Sequence, residues 1–451
     1  MAQVIQKPVM MVATTLRLSQ RQELDDESKD RLSLRVRLAW FFAVVAHTLN
    51  LQSEAILIRN ACKGDLSKVA RVVTRCNAMA GVLSLVINQI GGKLSDSFGR
   101  WCFGLLGPVV QILVGLIVCA KPDNADLLVL SKVSRGIFTT FSGTMMGTAI
   151  LRDVFEGQEL TVRTARASST IGLAIMAGPL GESMVLKRWR VGGERFSYLS
   201  LVVVGLLNLI NSICMPETLP PSKRPPFSLH KALQSANPFG FLAIYAKGTP
   251  LLKKLATISV LQTTIDGKNM SDIGQIWMRE HLKLSLETIR NDVMGFGLLN
   301  FVANGKITPV LLQRMSVWGF TTLANLTNLL AFSMRGMAEH VALYFGVLPL
   351  MLPGINGSSN SALAAVIDEQ TLRCGFGVGE STAWLNNLRV LVSVLATLLY
   401  GLTYGWLKQR GYNPGHTYAV AGLLGAGLPQ LLLLSMVKQS ELQVEGFVKR
   451  K

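Results

Sequence analysis

Few charged or titratable residues interrupt the long apolar runs of this chain, and those that do are the first candidates for chemistry. His47, Asn50 and Glu54 fall within AWFFAVVAHTLNLQSEAILIRN, three and four residues apart. That spacing puts all three on one face if a single helix carries them. Histidine titrates near neutral pH, and burial raises a glutamate's proton affinity, so the face suits proton binding. Each has a plainer reading as well: His47 as a packed, hydrogen-bonded residue, Glu54 as a group at an outer mouth. Arg135 follows Ser134 inside another apolar run. It needs a partner or a cavity, or it lies near the end of its span and reaches the interface.

A third run, LATISVLQTTIDGKNMSDIGQIWM, carries Asp266, Lys268 and Asp272. Either the helix stops near Ile265, or a broken helix continues with its charges facing a cavity, because charges in a span rarely face lipid. Asn269-Met270-Ser271 matches a glycosylation sequon, usable only if the helix ends early. Uncharged polar residues recur in the same half: Gln262, then Asn300 with Asn304, Asn325 with Asn328, and Asn356 with Asn360. With Asn50 they either line a polar cavity or hydrogen-bond between helices.

The elements that hold these groups are read from composition. The chain has 451 residues, 49% hydrophobic and 16% charged, where a soluble domain carries roughly 25% charged residues. Its mean hydropathy is +0.38. These values exclude a soluble enzyme, a disordered chain and a disulfide scaffold. One bilayer span needs about 20 mostly apolar residues, and candidate spans lie near 38–58, 72–91, 102–120, 126–149, 167–186, 197–215, 255–278, 291–312, 316–334, 341–366, 383–406 and 417–437. The expected fold is an all-α membrane protein with twelve transmembrane helices in two six-helix bundles. Its expected layout is a tail at 1–37, a first bundle at 38–215, a proline-rich basic linker at 216–250, a second bundle at 251–437 and a tail at 438–451.

The net charge of +18 belongs to short loops, tails and linker rather than to a basic stripe with interleaved aromatics, so no nucleic-acid partner is expected. Lys/Arg-rich tails and linker favour a cytosolic position for both termini. No apolar stretch before a cleavage site marks a signal peptide. The membrane is the plasma membrane or that of an organelle. The six cysteines show no paired metal spacing. Gly375-Phe376-Gly377-Val378-Gly379 lacks the preceding strand of a nucleotide loop. No cofactor, metal or catalytic triad is expected, and the chain is not read as an enzyme.

The most specific segment is Gly92-Lys93-Leu94-Ser95-Asp96-Ser97-Phe98-Gly99-Arg100, which fits G-x-L-x-D-x-x-G-R. Glycines allow a tight reversal between two helices. Asp96 suits hydrogen bonds from a helix N-terminus, and Arg100 suits an acid on a neighbouring helix. Here the chain resembles the major facilitator superfamily, from about residue 38 to 437. Trp101 stands where members usually carry a further basic residue, and Gly305-Lys306-Ile307 with Arg314 forms a faded copy in the second half. That superfamily is built as two six-helix halves.

Gly172-Leu173-Ala174-Ile175-Met176-Ala177-Gly178-Pro179-Leu180-Gly181 is similar to the helix motif of its antiporter branch, with Glu182 where a second glycine often stands. Pro216-Glu217-Thr218-Leu219-Pro220, and the glycine-rich stretch before span eleven, resemble drug/proton antiporters and tetracycline-resistance-like carriers. The resemblance implies a secondary transporter, working as a monomer in the lipid bilayer, that exports a small organic solute in exchange for protons. It links a span-four arginine, here Arg135, to proton coupling, and it places His47 where many relatives carry a carboxylate. Two other readings stay open: a facilitator or symporter of a sugar or other metabolite, and a non-transporting receptor or scaffold with the same fold.

Overall fold

A helix that crosses a bilayer must satisfy its own backbone hydrogen bonds and turn apolar side chains outward. Span six shows the result. Leu199, Val203, Leu206, Leu207, Ile210 and Ile213 form an exposed stripe, while Asn208, Asn211 and Ser212 are buried on the other side. Span eleven repeats the pattern with Leu395, Leu398, Leu399 and Leu402 exposed and Ser393 buried.

The computed structural model describes residues 25–63, 66–189, 192–224, 237, 239–355 and 358–442. Its helices line up into twelve spans among the described residues. The first six are Asp26–Thr48 with Leu51–Ala61, Leu66–Phe98, Arg100–Ala120, Ala125–Phe141 with Thr144–Val154, Gly157–Arg188, and Gly193–Ile213. The second six are Pro250–Gln262 with Gly267–Glu280, Leu286–Val302 continued by Ala303–Ile307 and Thr308–Arg314, Val317–Gly336, Val341–Gly346 with Leu348–Met351 and Ser358–Arg373, Val378–Gln409, and His416–Met436. Five of the described helices are long and apolar enough by composition to cross a membrane: spans three, five, six, eleven and twelve.

Span one packs on five and six, two on four, and three on four and six; in the second half, nine packs on ten and twelve, and seven on ten and eleven. The halves meet where span two crosses eleven and span five crosses eight. The face with the 214–224 segment and the starts of spans five and seven is termed the linker face, and its opposite the far face.

Several boundaries differ from the hydropathy reading. Span one starts at Asp26, because Asp25 caps it by accepting from the Ser28 amide. Residues 26–37 are therefore helical rather than tail, with Leu32 and Val36 fully buried. Span two runs on to Phe98, so the 92–98 segment is helix and not loop. The reversal is made at Gly99, whose φ of +104° is disfavoured for any residue with a Cβ. Span seven is broken rather than ended. A short 3-10 turn, Thr263–Ile265, leads to Asp266, and helix resumes at Gly267.

Candidate functional site

At the linker face the nine-residue motif forms a charged latch. Asp96 accepts from the Gly379 and Glu380 amides at 3.0 and 3.1 Å, at the N-terminus of span eleven. These are groups that no helix turn can satisfy, at the end where the helix dipole favours an anion. Arg100 is 1% exposed and pairs with Asp96 at 2.7 Å and with Asp153 of span four at 2.9 Å. Glu217 accepts from the Arg100 amide at 2.9 Å and pairs with Arg224 at 3.2 Å. Thr218 donates to Asp153 at 3.1 Å. The Pro216–Pro220 segment thus closes the back of the latch. Trp101 donates to the Ile213 carbonyl at 3.2 Å instead of adding a charge.

A second contact joins the halves beside it. Arg152 of span four donates to Asp368 (2.6 Å), Thr371 (2.9 Å) and Thr382 (2.6 Å), and all these side chains are buried. The Gln158 side-chain Nε2 donates to the Leu312 carbonyl at 3.1 Å. Close helix crossings support both contacts. A Cβ on Gly92 would lie 2.6 Å from the Gly379 carbonyl oxygen and 2.8 Å from the Ala383 Cβ. A Cβ on Gly172 would meet the Gly297 carbonyl oxygen and lie 2.6 Å from the Phe301 nitrogen. Gly178 instead lets span five approach Thr48 of span one, and Gly181 lies near Leu49. Pro179 stays inside the span-five helix.

Between the halves lies a cavity of about 830 Å³. Arg152 is among its lining residues, as are His47 and Trp40 of span one, Thr164 and Ser168 of span five, Asp266 and Gln275 of span seven, Asp292 of span eight, Arg335 of span nine and Arg389 of span eleven. Methionines and aromatic rings fill much of the remaining wall. A drug-sized solute needs a site of roughly 300–1,000 Å³, mostly apolar with a few placed polar groups.

The structure redistributes the sequence candidates. Span one breaks at Leu49–Asn50, so His47, Asn50 and Glu54 do not share one face as an unbroken helix would require. His47 lines the cavity. Asn50 is buried against Ser197 of span six at 2.7 Å. Glu54 is enclosed by Arg135 and by Lys132, the latter at 3.0 Å. Neither Glu54 nor Arg135 reaches an interface, since both are about 95% buried; Arg135 also donates to the His47 carbonyl at 3.3 Å. Glu182 accepts from the Ser53 amide at 2.7 Å and so caps the restarted helix of span one.

Of the two readings open for the uncharged polar candidates, hydrogen bonding describes those among the described residues, none of which is among the cavity-lining residues. Gln262 donates to Asn325 at 2.8 Å, and Asn325 donates to Gln430 at 3.0 Å. Asn328 donates to the Gly354 carbonyl at 3.0 Å. Asn300 and Asn304 pair with each other and are fully buried. A buried amide gains more from a fixed partner than from an open wall. Asn269 is buried and donates to the Thr263 carbonyl at 2.7 Å, which removes it as a glycan acceptor. Asn356 and the side chains of Asp272 and Asn360 lie outside the described residues.

Asp153, Arg152, Asp292, Arg335 and Arg389 are site residues that the sequence reading passes over. Arg152 and Asp153 follow an apolar run directly, and Arg335 closes one as FSMRG. A charge closing such a run is the signal that marks these three; Asp292 and Arg389 carry none of that kind.

No family model matches the chain. It is 29% identical over 172 residues to an uncharacterized MFS-type transporter, YdgK, of Bacillus subtilis (strain 168), covering 38% of this chain and 42% of that protein. The match thus spans about two fifths of that relative's length. Among solved structures, the human organic anion transporter MFSD10 (TETRAN) superposes with a TM-score of 0.70 at 18% identity, covering 90% of this chain and 99% of that one. The proton:xylose symporter XylE gives 0.72 at 12% identity over 92% and 97%. The E. coli fucose:proton symporter FucP gives 0.68 at 11% over 91% and 98%. With these superpositions along nine tenths of its length, this multi-pass membrane chain has the major facilitator fold.

Proposed function

We propose that this protein is a secondary transporter, which moves a small organic solute across a membrane by alternating access and exports it in exchange for protons. One observation carries the reading. A cavity of about 830 Å³ lies between two halves whose linker-face contacts include Arg152–Asp368 and Asp96 on the Gly379 amide. Those contacts are polar and reversible, so breaking them opens the same cavity to the other side. The basic tails and linker support a cytosolic linker face, which puts these contacts on the cytosolic side of the cavity. The fold alone does not choose the solute: the neighbours named above carry an organic anion, xylose and fucose.

Proton exchange needs a titratable group that both sides reach in turn. His47, Asp266 and Asp292 line the cavity. Glu54 with Arg135 is a buried charge cluster inside the first half, suited to relaying a change in span one to span four.

The test is proton movement in proteoliposomes with an acidic interior, to which candidate solutes are added outside. Solute-dependent alkalinisation, lost in His47→Ala or Asp266→Asn, supports antiport. Labelled solute crossing without a pH change sinks the antiporter reading and leaves a facilitator.

A further inference from the structure

We propose that Arg335, held against the ring of Tyr344, anchors an anionic group of the carried solute, which makes that solute an amphipathic organic anion; this rests on the transporter reading above. Arg335 lines the cavity yet is only 6% exposed. Its guanidinium carbon lies 4.0 Å from the Tyr344 ring centre and 5.6 Å from that of Tyr418. Trp277 backs both tyrosines, with ring centres at 5.5 and 5.6 Å. The two tyrosine hydroxyls bond each other at 3.3 Å. The Met351 sulfur sits 4.0 Å from a terminal guanidinium nitrogen, and the Arg335 Nε has no hydrogen-bond partner among the described residues.

A guanidinium stays charged at any physiological pH. Burying that charge inside a membrane costs several kcal/mol unless it is paired. Two ring faces offset only part of that cost, which leaves the charge undercompensated. An anion in the cavity supplies the missing partner in the geometry that guanidinium groups recognise best. The rings already hold a cation, so an organic cation does not fit there.

Asp292 also lines the cavity, its Oδ1 without a hydrogen-bond partner among the described residues. It opposes an arriving anion. The nearby wall includes Met270, Met278, Phe296 and Phe332, which suits an apolar body behind the charged head.

The opposite signs of Arg335 and Asp292 supply the test. The purified full-length protein is titrated at fixed neutral pH with naphthoate, naphthylmethylamine and naphthalenemethanol, three probes of one body and three charges. Naphthoate is expected to bind tightest. Arg335→Gln is expected to weaken it by at least about tenfold, Arg335→Lys to restore part of the loss, and Asp292→Asn to tighten it. A melting curve for each variant reports folding.

Equal binding of the three probes, no naphthoate binding at millimolar concentration, or parallel weakening by Arg335→Gln and Asp292→Asn each overturns the assignment. Flux separates it from the transporter reading. Arg335-dependent binding with no labelled naphthoate crossing into vesicles keeps the anion site and removes the transporter. Flux of the amine or alcohol that is indifferent to Arg335, with no preference for naphthoate, does the reverse.

Discussion

Gly172 of span five and Gly297 of span eight touch backbone to backbone across the two halves. A Cβ on Gly297 would stand 2.7 Å from the Gly172 carbonyl oxygen, and a Cβ on Gly172 would meet the Gly297 carbonyl in return. Gly92 and Gly379 repeat the arrangement where span two crosses eleven, each with its ideal Cβ 2.6 Å from the other's carbonyl oxygen. At both crossings the mutual absence of side chains brings the backbones of the halves into direct contact; the Gly92–Gly379 one belongs to the latch, whereas Gly172–Gly297 is the candidate bearing for the proposed rocking.

Filling that bearing tests its role. Overpacking a tight contact costs typically about 1–3 kcal/mol, which is about 5- to 150-fold in an equilibrium constant. Gly172→Ala is expected to redistribute the inward and outward states by that order and to lower flux, with less effect from Gly181→Ala, whose Cβ would meet only the end of the Leu49 side chain at 3.2 Å. Labelling rates of single cysteines at the two faces report the redistribution. Equal effects from the two substitutions would count against the bearing.

The latch makes a separate prediction. Asp96→Asn removes the anion from the span-eleven N-terminus and leaves Arg100, 1% exposed, with Asp153 as its remaining acid. Stripping one partner from a buried ion cluster costs about 3–5 kcal/mol when nothing replaces it, and Asp153 reduces that here. The linker face is expected to open more often, so a cysteine placed behind the latch should label faster. Glu217→Gln is expected to act in the same direction but more weakly, because it keeps an oxygen for the Arg100 amide. An unchanged labelling rate in Asp96→Asn would remove the latch from the gating account.

Arg152 and Asp368 are expected to behave as a coupled pair. Asp368→Asn removes the countercharge of the Arg152 guanidinium and leaves it with neutral acceptors only, the Asn oxygen, Thr371 and Thr382. Replacing both ends with neutral residues should destabilise less than the sum of the two single changes, with an interaction energy of about 0.5–3 kcal/mol. Thermal unfolding of the four members of the cycle measures it, and strict additivity would show that the two side chains do not share their energy.

How much of this was legible beforehand follows from where the information sits. The spans were readable because lipid demands apolar length, which survives in the sequence even where spans one, seven and ten are interrupted, and Asp96 was readable because it stands in a closely spaced motif beside a short reversal. The asparagines were not. Their spacing in the chain fits a cavity wall and a helix contact equally well, and only the approach of Gln262 and Gln430 to Asn325 decides between them. Span one misled for a related reason. The break at Leu49–Asn50 is supported by Glu182, 129 positions away from the Ser53 amide it accepts from, so no local pattern announces it. Arg335 gains its meaning from Tyr344 and Tyr418, which come from two other spans.

That break bears on the proposed proton exchange, and the last prediction separates two candidate carriers. His47 lines the cavity, whereas Glu54 is enclosed with Arg135 and Lys132 and is not among the cavity-lining residues. Glu54→Gln strips the acid from two cations at once, and Arg135 is only 4% exposed. It is therefore expected to lower the melting temperature and the yield of folded protein. His47→Ala removes a side chain from the cavity wall but leaves its carbonyl to accept from Arg135. It should fold normally and flatten the pH dependence of flux. A normally stable Glu54→Gln protein that has lost its pH dependence would reverse the assignment and make Glu54 the proton carrier.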